Sequence, residues 1–511
     1  MRHMPTSRRA FLRGAAASAL AWPMATSAQD TARLFQHGVA SGDPLSDRVV
    51  LWTRITPPPA RSAIGPVEVA WQVAEDEGLA RVVARGTTAA APQRDFTVKV
   101  DAAGLRPGRT YYYAFDAGGQ RSPVGRTRTF AETGVDRLRL AVVSCSNYAA
   151  GYFNAYRCIA ARGDLDAVLH LGDYIYEFAD GVFGDTRSIG RAPLPLGDAA
   201  TLDEYRRRYA IYRSDPDLQD AHRRHPFVVV WDDHEIANNA WAGGAENHAA
   251  RQGGWATRLA AAYRAYVEWL PVRESPGPDI RLYRRFRAGD LADLVMLDTR
   301  GLRDRQITAA TADQLGNPGR TLLGRTQEAW LFDRLRESAK AGTRWRLLGQ
   351  QVLFAPMSPT GQPLSVDMWD GYPAARARVM EFVARERVPD IVVLTGDLHS
   401  SWAIDVAQNP WAAAGTAAAR PLAVEIVTPA ISSPPLFTDA SLRARAPLLR
   451  QVVPHVQFLD GDGNGYVVLD VTRERLLAEW YFVAAVRERS ADEKRAVAYA
   501  CERGSSRLSP A

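Results

Sequence analysis

Four apolar runs in this sequence end in residues of the kind that bind hard metal ions. AVVS runs into Cys145, VLHLG into Asp173 with Tyr176 three positions on, FVVVW into Asp232, Asp233 and His234, and IVVLTG into Asp397 with His399 beyond. Taken singly, each has a plainer account. Gly-Asp turns close many strands, aspartates cap many helices, and a buried cysteine often only packs. Together they would need four separate structural explanations, where one metal centre explains them all. Donor chemistry narrows the metal. Carboxylate oxygens suit calcium, manganese or magnesium better than zinc. A thiolate and a phenolate on one cation favour trivalent iron, because both are anionic donors that offset its charge. An aspartate placed after glycine, as Asp173 is, has the short side chain and rigid backbone that a ligand shared by two cations needs. Of 9 histidines in the chain, only His234 and His399 fall in these clusters, so a histidine-rich dinuclear zinc site is excluded.

The elements that must position these residues are legible around them. From about residue 137 the runs RLRLAVVSCSNY, DAVLHLGDYIYE, PFVVVWDDHE, DLVMLDTR, RWRLLGQQVLFAP, DIVVLTGDLHSSW and LAVEIVTPAIS are apolar and β-rich. Segments of helical composition separate several of them, such as TRLAAAYRAYVEWL and TQEAWLFDRLRESAK. Strands alternating with helices predict an α/β domain with a largely buried sheet. In such sheets, sites form outside the carboxyl ends of neighbouring strands. GNGYVVLDVTRERLLAEWYFV reads as two final paired strands, and the Pro- and Gly-bearing stretch 180–200 as a long surface loop. Residues 34–131 differ. RVVLWTRIT, VEVAWQVAE, RVVARGTT and FTVKVDAA are short runs with turn residues between several of them, and the run from Leu105 to Tyr113 resembles fibronectin type III modules. This region predicts a small β-sandwich.

At 511 residues the chain exceeds one compact core. With 46% hydrophobic and 23% charged residues its composition is globular, and no apolar run is long enough to span a bilayer. The net charge of +6 does not point to nucleic acid: the only lysines are Lys99, Lys340 and Lys494, and the arginines are scattered among acids. At the N-terminus, Arg8 and Arg9 precede Phe11, Leu12 and an Ala-rich segment, with small residues near Ala28. This resembles a twin-arginine export signal over residues 1–28, so a periplasmic or secreted protein is expected. Three cysteines, Cys145, Cys158 and Cys501, allow at most one bridge and leave an odd thiol.

The motifs FQHGVASGDPLSDRVVLWTR, SCSNY, HLGDYIYE, WDDHEIANN and LTGDLHSSW resemble the calcineurin-like metallophosphoesterases, most closely those of PhoD type. The resemblance implies a PhoD-type β-sandwich domain over 32–133, then a catalytic domain over 137–500 built as a two-sheet sandwich flanked by helices. It also implies an iron(III)–calcium centre (Fe3+ and Ca2+) that hydrolyses phosphate esters with a metal-held hydroxide. Carried over by position, Cys145 takes the slot of the first Asp of an Asp-x-His motif, Asp173 that of the bridging aspartate and Tyr176 that of an iron-binding tyrosine. Asp233 falls where the Asn of Gly-Asn-His-Glu ligates the second metal. His234 matches the neighbouring His, which contacts phosphate and is the expected catalytic residue. Asp397 and His399 fill Gly-His-x-His slots, the first His being replaced by Asp. Gln350 stands near a remaining ligand slot but is left out of the set. Asp232 is expected to orient its loop, and His170 to pack or to support neighbouring site residues.

The expected function is therefore an exported alkaline phosphatase acting on small phosphate esters and translocated by the twin-arginine machinery. Two alternatives stay open on sequence. The same site could act on diesters or phospholipids, or the chain could be a non-catalytic binder of phosphate-bearing ligands.

Overall fold

The computed structural model describes residues 34–57, 65–184, 186–275, 280–308, 311–437, 443 and 451–511. The expected export signal at 1–28 lies outside them. Strand Arg137–Val143 shows how the residues make the layers. Successive side chains of a strand point to opposite faces. Leu140 and Val142 enter the core between two sheets, whereas Ala141 and Val143 face helices on the outside. From Leu140 onward both faces are buried, which explains why LAVV is continuously apolar, whereas Arg137 and Arg139 still alternate with leucines.

Among the described residues the larger sheet has ten strands. At its centre Arg137–Val143, Ala167–His170, Pro226–Val229 and Val39–Gly42 run parallel. Gly465–Thr472 and Arg475–Val483 pair antiparallel beside them, as the sequence predicts. A second sheet of seven strands holds Ala292–Met296, Trp345–Gly349, Ile391–Thr395 and Pro421–Val427 in parallel. Leu169 and Val228 of the first sheet meet Leu294, Leu347 and Leu394 of the second in the shared core. Helices Asn154–Ala161, Leu202–Arg213, Pro216–Arg224 and Trp255–Trp269 cover the outside of the first sheet. Gly324–Lys340 and Pro373–Glu386 cover the second. The fold is the expected α/β two-sheet sandwich flanked by helices.

The N-terminal strands make a sandwich that shares a sheet with the rest. Val67–Ala74, Val82–Ala90 and Thr110–Ala117 belong to a separate five-stranded sheet. Val39–Gly42, Arg48–Arg54 and Thr97–Ala103 instead extend the ten-stranded sheet beyond Pro226–Val229. Val49, Leu51 and Val98 from the latter pack against Val69, Val73 and Tyr113 from the former. The expected N-terminal sandwich is present, and its second layer is the edge of the large sheet.

All three cysteines are unpaired and buried. Cys158 lies on the helix side of the large sheet and Cys501 between the two sheets.

Candidate metal centre

The carboxyl ends of strands from both sheets converge on one place. Ser144, just past Arg137–Val143, forms a bridge with Ala430, just past Pro421–Val427. There Cys145, Asp173, Asp397 and His399 adopt φ of +61°, +55°, +61° and +50°. Non-glycine residues rarely adopt such angles, and where they do they concentrate at functional sites. Gly172 at +109° could not be replaced: a Cβ there would lie 2.4 Å from that of Asp232. Backbone bonds secure the turns, with Cys145 N donating to Gly172 O (3.1 Å) and Ser146 N to Asp173 O (2.8 Å). The buried Glu235 carboxylate accepts the N–H groups of Asp173 (3.0 Å), Tyr174 and Asp232 (2.7 Å), tying two strand ends together.

The side chains form three overlapping donor clusters, each spanning less than 4.8 Å. Cys145, Asp173 and His399 make the first, Asp173, Asp233 and His234 the second, and Asp232, Asp233 and Asp397 the third. Asp173 belongs to two of them, the position of a shared ligand. The Tyr176 hydroxyl joins the first cluster, donating to Asp173 Oδ2 (2.9 Å) and lying 3.0 Å from His399 Nε2. His399 Nδ1 bonds Pro434 O at 2.9 Å, which leaves Nε2 for the site. His234 Nδ1 donates to Glu177 Oε2 at 2.8 Å, and its ring packs against Tyr176, Phe178 and Phe183. All seven residues singled out from the sequence thus meet here. Tyr174, two positions before Tyr176, instead turns into the core to His222. Gln350 spends its amide on Val352 O, Thr395 Oγ1 and Trp369 Nε1, which fits its exclusion. His170 packs with Tyr156 and accepts the Gly172 N–H, a supporting role.

The electrostatics of this site call for added positive charge. Burial, with Asp173 adding to it, pushes the Cys145 thiol well above its usual pKa. Burial likewise raises Asp173 and Tyr176 well above theirs, and Asp397 to about 6. For His234, burial disfavours the imidazolium, but Asp233, Asp173 and Glu177 outweigh it and hold the pKa well above 6.5. Buried polar atoms ordinarily find partners, yet Asp232 Oδ2 and Asp233 Oδ1 have no hydrogen-bond partner. Carboxylate oxygens left without a hydrogen bond, beside a thiol and a phenol, fit metal cations. The oxygens of Asp233 suit a hard ion such as calcium, and the Cys145 and Tyr176 end suits trivalent iron.

Arg300 is the main residue that sequence reasoning missed. Its guanidinium is fully buried and pairs with Asp232, Asp397 (2.7 Å), Asp367 (2.7 Å) and, at 3.5 Å, Asp233. It takes Oδ1 of Asp232 and of Asp397, holding these carboxylates in place while their second oxygens remain. Asp232, expected to orient its loop, thus has one oxygen held by Arg300 and the other facing the third donor cluster. The signal for Arg300 was present, since DLVMLDTR carries it just past a strand end by the rule that picked out the others. Glu177 and Glu235 stood inside the quoted motifs YIYE and DDHE. Asp367 comes from a loop that carries no such pattern.

The sequence matches the PhoD-like phosphatase family over residues 140–480 and the N-terminal domain of PhoD-like phosphatases over residues 18–131. Alkaline phosphatase D of Bacillus subtilis (strain 168) is 40% identical over 473 residues, covering 89% of this chain and 78% of that protein. A solved structure of PhoD superposes with a TM-score of 0.83 at 37% identity, covering 93% of this chain and 92% of the other. With its two matched regions spanning both the sandwich and the strand ends that build the centre, this chain belongs to the PhoD-like phosphatase family.

Proposed function

We propose that this chain is an exported alkaline phosphatase whose strand-end centre holds iron(III) and calcium and hydrolyses phosphate monoesters. The observation that carries the reading is the run of three overlapping donor clusters joined through Asp173 and Asp233. Cys145, Tyr176, His399 and Asp173 would hold iron. Asp233 and Asp397, with Asp173 shared, would hold calcium. When bound, such a pair supplies a water of lowered pKa and positive charge for the phosphoryl oxygens.

The chain's own groups do the rest. Glu177 fixes the His234 ring through Nδ1, leaving the Nε2–H of the imidazolium to bind a phosphoryl oxygen or protonate the leaving oxygen. Tyr176, Phe178 and Phe183 pack against that ring and help hold its orientation. Arg300 keeps Asp232 and Asp397 from swinging away. Cys145 would be committed as a ligand, so no thiol nucleophile is required. The paired Arg8 and Arg9 support passage through the twin-arginine machinery, which moves folded proteins and would carry a loaded centre outward.

The test pairs metal analysis of protein purified without chelator with nitrophenyl phosphate and bis-nitrophenyl phosphate turnover. Iron and calcium should be present, calcium chelation should abolish turnover, and the monoester should be the better substrate. Asp173→Asn should lose metal and activity together. A folded Asp173→Asn protein that keeps both would contradict the shared-ligand role.

A further inference from the structure

A cavity of about 610 Å³ adjoins the centre, lined among others by Asn239, Trp241, Glu246, Arg305, Gln306 and Asp367. Two of these residues belong to the frame of the centre itself. Asn239 N donates to Asp233 Oδ2 at 2.6 Å, and Asp367 takes Arg300 at 2.7 Å. A phosphoryl group at the centre would therefore have this cavity beside it.

The cavity wall is charged unevenly. The Asp367 carboxylate is neutralised by Arg300 and Arg303 and also accepts from Gln306. Glu246 Oε2 is engaged by the side-chain amides of Asn238 and Asn239. Arg305 is different. It is exposed, its guanidinium lies 5.3 Å from the centroid of the Trp241 ring, and no carboxylate pairs with it among the described residues. Gly244 lets the indole sit close, since a Cβ there would lie 2.5 Å from Trp241 Cζ2. An arginine held against an aromatic face keeps its fork of donors free for an anion.

We infer that this cavity selects phosphate esters whose leaving group carries a second anionic group, carboxylate or phosphate, which Arg305 binds beside Trp241. The inference rests on the phosphatase reading of the centre and deepens it. Because the second anion is remote from the reacting bond, Arg305 binds it equally before and during reaction, so its effect appears in KM rather than kcat.

The test uses two matched pairs of substrates: phenyl phosphate with 4-carboxyphenyl phosphate, and propyl phosphate with 1,3-propanediol bisphosphate. For each pair the ratio of kcat/KM, charged over neutral, is measured in the wild type and in Arg305→Ala, Arg305→Lys and Arg305→Glu. The ratio should fall about fivefold in Arg305→Ala for at least one pair, the size of a partly screened ion pair. Arg305→Lys should retain most of it and Arg305→Glu should lose more. The carboxylate and phosphate arms show which anion the cavity takes. A ratio in Arg305→Glu equal to that of the wild type in both pairs overturns the inference alone. Wild-type protein inactive on all four substrates overturns the reading of the centre and the inference with it.

Discussion

Asp173 and Glu177, four positions apart, have opposite tasks. Asp173 offers its carboxylate to two donor clusters, whereas Glu177 spends its own on one imidazole and on Asn238 N and Asn247 Nδ2. The division predicts how Glu177→Gln behaves. An amide can still meet Nδ1–H but no longer supports the charged ring, so kcat should fall roughly tenfold to a hundredfold, the usual effect of a partner one step from the site. Metal content should be unchanged, which separates it from Asp173→Asn. Equal loss of metal in both variants would contradict the assignment. At this scale the donor residues were legible because each stands at or just past the end of an apolar run. Glu177 and Arg300 were not singled out, because a carboxylate or guanidinium that acts by holding another residue shows its partner only in three dimensions.

The strand-to-loop turns carry the strain that aims these side chains. Gly172 is the tightest point, as its backbone passes against Asp232 with no room for a methyl group. Gly172→Ala adds an overpacked contact at a φ that alanine avoids, and should destabilise the protein by about 2 kcal/mol or more. A lowered Tm accompanied by reduced metal content is the expected readout, and an unchanged Tm would contradict it. The central strands were readable as apolar runs of four to seven residues, and the helices Trp255–Trp269 and Gly324–Lys340 as longer segments of helical composition. Sheet membership was less readable. Arg48–Arg54 and Thr97–Ala103 look like sandwich strands, and nothing in their composition says that they extend the large sheet beside Pro226–Val229. Hydrogen-bonding partners distant in sequence leave no local pattern.

Across the whole molecule, histidines buried in neutral form link stability to pH. Burial pushes His455 down to about 4, against its bond to Pro356 O and with help from Arg376. A histidine whose pKa is depressed on folding favours the folded chain above about pH 6.5 and withdraws that support as the pH falls, by about 1.4 kcal/mol per unit. His455→Gln can keep a donor for Pro356 O while removing the titration. Between pH 7 and pH 5 the variant should therefore lose about 2 kcal/mol less stability than the wild type in urea unfolding. Equal losses would contradict a neutral, buried His455. The larger claim is that two sheets, brought together at Ser144 and Ala430, deliver donors from distant strand ends to one set of cations. Anomalous diffraction from crystals of the native protein, collected above and below the iron edge, tests it most directly. An iron peak is expected among Cys145 Sγ, Asp173, Tyr176 Oη and His399 Nε2, with a calcium-sized peak beside Asp233. Metal peaks absent from this position, or placed where Asp173 touches none of them, would contradict it.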